Sequence, residues 1–169
     1  EIAHQITVKI EGPVQGSGVI VDRDDNEYTI LTSWHVVKNI NPSETFVINT
    51  SDGENHSIDS VNISRIGQVD LASISFESSN DYKVASLGDI ETVKSGNPIY
   101  VSGYPLPTVA VPVRIRRFLE GKVIANASVE IPNGYQLLYT NTTLPGMSGG
   151  PVLDETGGLA GIHGQAELD

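Results

Sequence analysis

The stretch that decides the fold is Gly146-Met147-Ser148-Gly149-Gly150-Pro151, which leads into a short apolar strand pattern. A serine hydroxyl is a poor nucleophile until a neighbouring base takes its proton. Glycines close to Ser148 on both sides let the backbone turn so that its N–H groups and the hydroxyl converge on one point. The stretch therefore predicts a nucleophilic serine beside an anion-binding turn, provided that the chain also supplies a histidine and a carboxylate.

The candidate base is one of four histidines: His4, His35, His56 and His163. His35 follows the apolar strand pattern at 28–32, and the end of a buried strand holds a side chain rigidly, as a general base requires. The alternative for His35 is a core histidine bonded to a backbone carbonyl. His4, near the N-terminus, and His56, in a polar turn sequence, are interpreted as surface histidines.

The candidate carboxylate is Asp70, which opens the alternating stretch 70–76. At the start of such a strand an aspartate can be buried and directed at an imidazole, whereas the other aspartates considered lie in polar, loop-like stretches. The alternative for Asp70 is a turn residue that caps 67–69. The chain order His35, Asp70, Ser148 is that of one known serine triad, in which the aspartate fixes the histidine tautomer.

With these residues in place, the chain resembles the chymotrypsin-like (trypsin-like) serine peptidases of the bacterial type. The matching segments occur in family order at 16–21, 31–37, 69–74 and 146–152. The resemblance implies two packed antiparallel β-barrels of the six-stranded type, with the active site in the cleft between them. It implies His35, Asp70 and Ser148 as the catalytic triad, and the N–H groups of Gly146 and Ser148 as the oxyanion hole.

A finer resemblance is to the bacterial glutamyl endopeptidases. Those enzymes have a threonine five residues before the nucleophile and a histidine fifteen after it, which correspond to Thr143 and His163. The resemblance implies that both line the primary specificity pocket, where a hydroxyl and an imidazole can bind a substrate carboxylate. The alternative for His163 is a strand residue without a substrate role. Met147 stands where animal trypsins carry an aspartate, so activation by an ion pair at that position is not expected.

Composition limits the partners and the chemistry. The 169 residues include 10 basic and 21 acidic side chains, a net charge of −11, which argues against nucleic acid as a partner. The sequence has no cysteine, which excludes a thiol catalyst and indicates a bacterial origin. No apolar run is long enough to insert into a membrane, and the proposed chemistry needs no cofactor and no metal. We expect a polypeptide substrate and an exported protein, periplasmic or extracellular; the sequence leaves the oligomeric state open.

The pattern along the chain is all-β. Alternating runs occur at 6–10, 18–22, 28–32, 45–49, 58–63, 71–76, 98–102, 111–115, 121–125, 136–140, 150–153 and 159–163, separated by turn residues. Such regular short strands are typical of a sandwich or barrel.

One helical turn is expected near His35, and the acidic stretch 22–27 is interpreted as a hairpin tip rather than a calcium loop. Arg114 and Arg116 are expected on a solvated strand face, with contact to the acidic body or an acidic substrate as the alternative.

The polar segment 87–96 predicts a boundary between two units. Residues 1–88 would form an N-terminal barrel with His35 and Asp70, and residues 89–169 a C-terminal barrel with Ser148. Because the family continues with another strand and a helix beyond the point where this sequence stops, the second barrel is expected to be incomplete at its C-terminal end.

The sequence therefore predicts a serine endopeptidase that works through an acyl-enzyme and prefers Glu or Asp on the acyl side. One alternative is an HtrA-like protease of other specificity. Another, from a different class, is a non-catalytic binding or sensor module with the trypsin fold.

Overall fold

Seven strands form the first sheet in a computed structural model that describes residues 2–88, 93–131, 135–141 and 143–164. They are β1 (Thr7–Glu11), β2 (Gly16–Asp24), β3 (Glu27–Thr32), β4 (Phe46–Asn49), β5 (Asn55–Ile58), β6 (Ile63–Arg65) and β7 (Ala72–Glu77). Their order across the sheet is β5-β4-β1-β2-β3-β7-β6, and every neighbouring pair is antiparallel.

Five strands form the second sheet. They are β8 (Pro98–Gly103), β9 (Arg117–Ile131), β10 (Tyr135–Tyr139), β11 (Pro151–Leu153) and β12 (Leu159–Ile162), in the order β10-β9-β8-β11-β12. The pairs within this sheet are antiparallel too. The predicted all-β class with two antiparallel units is confirmed. The domain boundary at 88/89 stays a prediction, and residues 89–92 lie outside the described residues.

Strict alternation explains why the strands of the first sheet form. On β7, Ala72, Ile74 and Phe76 are buried while the residues between them are half-buried, and β3 places Tyr28 and Ile30 on the same inner face. The register pairs Ile30 with Ile74 and Tyr28 with Phe76, so the apolar side chains of the two strands meet in one core.

The described residues also form three short helices. They are α1 (Ile2–Ile6), α2 (Trp34–Val37) and a 3₁₀ helix at Ser60–Asn62. The turn expected near His35 is confirmed as α2. Helix α1 was not predicted, because five residues are too few to show a helical period in the sequence.

The strand predicted at 58–63 is wrong in its centre. The Asp59 carboxylate accepts a hydrogen bond from the Val61 N–H, and the Asn62 side chain accepts one from the Asp59 N–H. These local bonds compete with a sheet ladder and start a helical turn instead. The hairpin turn expected before His56 is confirmed at 51–53, between the antiparallel strands β4 and β5. The surface position expected for His56 is wrong, because His56 lies on β5, half-buried, and its Nε2 is within 3.1 Å of the Tyr82 hydroxyl.

The strand predicted at 111–115 is absent; the chain there is irregular and β9 begins at Arg117. The expected solvated face is wrong for Arg114, whose side chain is only 4% exposed. Its contact with Glu11, at 3.1 Å, bears out the alternative of contact with the acidic body. The hairpin expected at 22–27 is confirmed, with Asp24 paired to Glu27 across the β2–β3 turn.

The two sheets pack on each other through a shared core. Ala3, Ile6 and Val19 from the N-terminal part are buried together with Leu153 and Leu159 of the second sheet. The hydroxyls of Thr7 and Ser102, both fully buried, lie 2.8 Å apart at the same junction. Within the described residues, no helix is long and apolar enough to cross a membrane.

Candidate active site

His35 is the second residue of α2, which begins two residues after the end of β3. Its backbone N–H donates to Oδ1 of Asp70 at 2.8 Å, and its Nδ1 lies 2.8 Å from Oδ2 of the same carboxylate. Asp70 is only 8% exposed, whereas the His35 side chain is 40% exposed. The structure thus brings the predicted base and carboxylate together, with the imidazole open to solvent on one side.

The carboxylate decides which nitrogen of His35 is available. An ionised carboxylate can only accept hydrogen bonds, so Nδ1 carries the proton in this pair. Nε2 of the neutral imidazole is then left with a lone pair, which is the form a general base needs.

Arg65 supports the loop that carries Asp70. Its guanidinium donates to the carbonyls of Val69, at 3.2 Å, and Gln68, at 3.1 Å. It also lies over the Trp34 ring, 5.4 Å from the centroid. Trp34 and Val69, the residues directly before His35 and Asp70, therefore share Arg65 as a partner, and this contact was not predicted.

Ser148 lies against the segment that carries His35. Its carbonyl accepts a hydrogen bond from the Ser17 N–H at 2.8 Å. A Cβ at Gly16 would lie 2.6 Å from the Val36 side chain and 3.3 Å from the Ser148 carbonyl, so these two groups approach across a bare glycine. The Ser148 hydroxyl donates to the Gly164 carbonyl at 3.2 Å; among the described residues it is not hydrogen bonded to His35.

In the turn before Ser148, three successive backbone carbonyls each accept a hydrogen bond. The Pro145 carbonyl accepts from the Leu106 N–H at 2.7 Å, that of Gly146 from the Ser17 hydroxyl at 2.8 Å, and that of Met147 from the Gly150 N–H at 3.0 Å. In a trans peptide the N–H points away from the carbonyl. The N–H groups of Gly146 and Ser148 donate to no group within the described part of the chain, so both are free to bind an anion.

Gly146 can only be glycine in this turn. Its φ of +95° lies in the left-handed region, and a Cβ there would be 2.7 Å from the Leu106 nitrogen. Met147 is fully buried in the apolar core of the second sheet. The absence of activation by an ion pair at this position stays a prediction.

Residues 16–162 match the family model described as the trypsin-like peptidase domain. The chain belongs to this family. Serine protease Do-like HtrB of Bacillus subtilis (strain 168) is 29% identical over 153 residues, which cover 87% of this chain and 32% of that protein. Serine protease Do-like HtrA of the same strain is 24% identical over 151 residues, with coverages of 88% and 32%. The crystal structure of Deg5 superposes with a TM-score of 0.75 at 22% identity, and the match covers 94% of this chain and 78% of that one.

These comparisons confirm the trypsin-like resemblance and the fold. The trypsin-like domain described here spans about a third of the length of the two Bacillus relatives. The finer resemblance to glutamyl endopeptidases, the bacterial origin and the export of the protein stay predictions.

His163 follows β12 of the trypsin-like domain and is 4% exposed. Its carbonyl accepts from the Gly149 N–H at 2.7 Å and from the Ser33 hydroxyl at 3.0 Å, so it joins the turn at Ser148 to the start of α2. Its Nδ1 lies 2.5 Å from the Tyr139 hydroxyl. Burial, with a smaller effect from His35, lowers the pKa of His163 to about 4. The imidazole is therefore neutral near pH 7.

Thr143, the other predicted pocket residue, is half-buried. Its N–H donates to the Asn141 carbonyl at 3.0 Å, and its hydroxyl is not hydrogen bonded to His163. The His163 imidazole is hydrogen bonded to Tyr139 rather than to Thr143. Tyr139 was not predicted as a site residue, because its place in the predicted strand 136–140 carried no functional signal.

Proposed function

We propose that the chain is a serine endopeptidase in which Ser148 is the nucleophile, His35 the general base and Asp70 the residue that orients His35. The observation that carries the proposal is the double contact of Asp70 with His35, through the backbone N–H and through Nδ1, both at 2.8 Å. Such a contact fixes the ring and its tautomer at once. The Do-like relatives are named serine proteases, which supports the same reaction class.

The reaction follows from these groups. Rotation of the Ser148 side chain moves its hydroxyl from the Gly164 carbonyl towards Nε2 of His35. As Oγ attacks the scissile carbonyl carbon, its proton passes to Nε2, and the carbonyl oxygen becomes an oxyanion held by the N–H groups of Gly146 and Ser148. His35 then protonates the leaving amine. Water repeats the sequence on the acyl-enzyme and releases the free acid and Ser148.

The proposed substrate preference is Glu or Asp on the acyl side of the bond, recognised at His163 and Thr143. If the Tyr139 hydroxyl donates to Nδ1 of the neutral His163, then Nε2–H is the remaining donor of the ring. A donor in a buried site hydrogen bonds a carboxylate strongly. The HtrA-like alternative, with another specificity, is supported by the names of the two Bacillus relatives.

Cleavage-site profiling on a mixed peptide library tests both proposals. Wild type, Ser148→Ala and Ser79→Ala are compared, since Ser79 is an exposed serine outside the site. We expect cuts by wild type and Ser79→Ala and a loss of about 10⁶-fold in kcat for Ser148→Ala, because the nucleophile is removed. Equal cleavage by Ser148→Ala would contradict the assignment. No cleavage by wild type, and no labelling by a phosphonofluoridate, would favour the non-catalytic module.

The specificity proposal is tested with peptides that differ only in Glu, Gln or Val before the cut. We expect His163→Val to lose the preference for Glu over Gln, and His4→Val, at an exposed site, to keep it. Cuts by wild type mainly after small apolar residues would reject the acidic pocket and favour the HtrA-like alternative.

A further inference from the structure

The Arg114 guanidinium is buried among backbone carbonyls beside the nucleophile turn. Its Nη1 donates to the Ile10 carbonyl at 2.9 Å and to Oε1 of Glu11 at 3.1 Å. Its Nη2 donates to the carbonyls of Gly16 at 2.9 Å, Tyr104 at 2.6 Å and Gly146 at 3.3 Å, and Nε to that of Pro105 at 3.4 Å. With only 4% of the side chain exposed, these contacts replace water around the cation.

The acceptors come from both halves of the molecule. Ile10 lies on β1 and Gly16 starts β2, both in the first sheet. Tyr104 and Pro105 directly follow β8 of the second sheet, and Gly146 belongs to the nucleophile turn. Because a planar guanidinium holds its donors in a fixed fork, it fixes these segments relative to one another more tightly than a flexible ammonium would.

The contact with Gly146 bears directly on the anion-binding N–H groups. The Gly146 carbonyl lies in the middle of the three held carbonyls, and its two partners are the Ser17 hydroxyl and Arg114. Arg114 also fixes the Tyr104 carbonyl, while the Tyr104 N–H donates to the same Ser17 hydroxyl at 2.9 Å. If the peptide between Gly146 and Met147 rotates, the N–H groups of Gly146 and Ser148 on either side of it change direction.

We propose that Arg114 is a positioning residue that holds the turn 145–148 in the orientation in which its N–H groups bind the oxyanion. This inference rests on the proposed peptidase function, since an oxyanion forms only if Ser148 attacks a carbonyl. Arg114 does not touch the reacting atoms itself. Its effect falls on the transition state, because preorganised donors matter most where negative charge develops.

The test compares wild type, Arg114→Met and Arg114→Lys, with Arg23→Met as the matched control. Arg23 is an arginine that also pairs with an acid, Asp81, at 2.6 Å, but it lies at the end of the β2–β3 hairpin. Arg114→Lys keeps the charge in the site, which guards against a methionine variant that fails to fold. The readouts are kcat and KM on one peptide substrate, and the affinity for a peptide boronate that mimics the tetrahedral intermediate.

We expect both Arg114 variants to lower kcat by about 10- to 100-fold, with KM nearly unchanged, because a shift of about 1 Å in a catalytic group has an effect of this size. Boronate affinity should fall in parallel with kcat/KM. Wild-type kcat in Arg114→Met, or the same loss in Arg23→Met, would overturn the proposal. So would full activity in Arg114→Lys, since charge alone would then suffice.

Hydrogen exchange separates this inference from the proposed function. In Arg114→Met we expect faster exchange in peptides that cover 143–149 than in wild type, and unchanged exchange across β3 and β7. If wild type shows no cleavage, the peptidase proposal fails, and unchanged exchange at 143–149 would overturn the positioning role as well. Faster exchange confined to that turn would support it.

Discussion

At the scale of single residues, the pair of His35 and Asp70 is the feature with the clearest chemical consequence. Asp70 uses one oxygen on the backbone and the other on the ring, so a single buried carboxylate sets both the position and the tautomer of His35. A residue that only capped the loop 67–69 would not need its second oxygen at Nδ1. The geometry therefore favours the functional interpretation of Asp70 over the alternative of a turn cap.

Asp70→Asn should lower kcat by about 10⁴-fold while leaving the fold intact. The amide oxygen can still accept from the His35 N–H, but the NH₂ group donates to Nδ1 and forces the proton onto Nε2. The measurement is kcat/KM on a peptide substrate, with circular dichroism as the check on folding. Asp81→Asn, which removes only an exposed ion pair with Arg23, should stay near wild type. Near wild-type activity in Asp70→Asn would exclude the proposed role.

At the scale of structural elements, the turn at 145–150, which carries Ser148, packs closely against the first sheet. Gly149 has a φ of +92°, and a Cβ there would lie 2.0 Å from the Ser17 carbonyl oxygen and 2.2 Å from the Thr32 hydroxyl oxygen. Ser17 and Thr32 are themselves joined by a hydrogen bond of 2.7 Å. The turn therefore fits only because this position has no side chain.

Gly149→Ala should destabilise the protein by more than about 3 kcal/mol, since left-handed strain adds to overpacking. The matched control is Gly53→Ala, which has a similar φ of +86° but no atom within 4 Å of a Cβ. That control should cost only about 1–2 kcal/mol, from strain alone. Urea unfolding measures both free energies. Equal losses for the two variants would show that close packing at the turn does not matter.

At the scale of the whole molecule, the buried His163 is hydrogen bonded to the turn at Ser148, to the start of α2 and to Tyr139 of β10. Its pKa of about 4 in the folded protein lies below the ordinary value of 6.5. As the pH falls through this range, the unfolded chain takes up the proton first, so stability is complete above pH 6.5 and is lost towards pH 4. Because one pKa unit corresponds to about 1.4 kcal/mol, the full loss is about 3 kcal/mol.

The pH dependence of unfolding tests this linkage. Between about pH 7.5 and about pH 4.5, wild type should lose about 2 kcal/mol more stability than His163→Asn, which keeps an acceptor for Tyr139 but does not titrate. Since His4 is exposed, His4→Asn should follow wild type. A His163→Asn protein that loses as much stability as wild type over this range would show that His163 is not the group responsible.

Most of the strands could be predicted from the sequence, because alternation is a local property: β3 and β7 lie within two residues of their predicted bounds. The predicted strands were wrong where a side chain takes a backbone hydrogen bond that a strand would use, as Asp59 does before the 3₁₀ helix. The strand predicted at 111–115 was wrong as well. There Arg114 instead takes its partners from residues that are distant in the sequence, up to 104 positions away.

The sequence by itself determined the all-β class and named His35 and Asp70 as partners, because strand periodicity and residue order are encoded locally. Only the tertiary structure decided that the Arg114 side chain is buried, that Tyr139 rather than Thr143 is hydrogen bonded to the His163 imidazole, and that the His163 pKa is low. These properties depend on which distant groups replace water around a side chain. The spacing of residues within one segment cannot predict that environment, since it is created when the two sheets pack together.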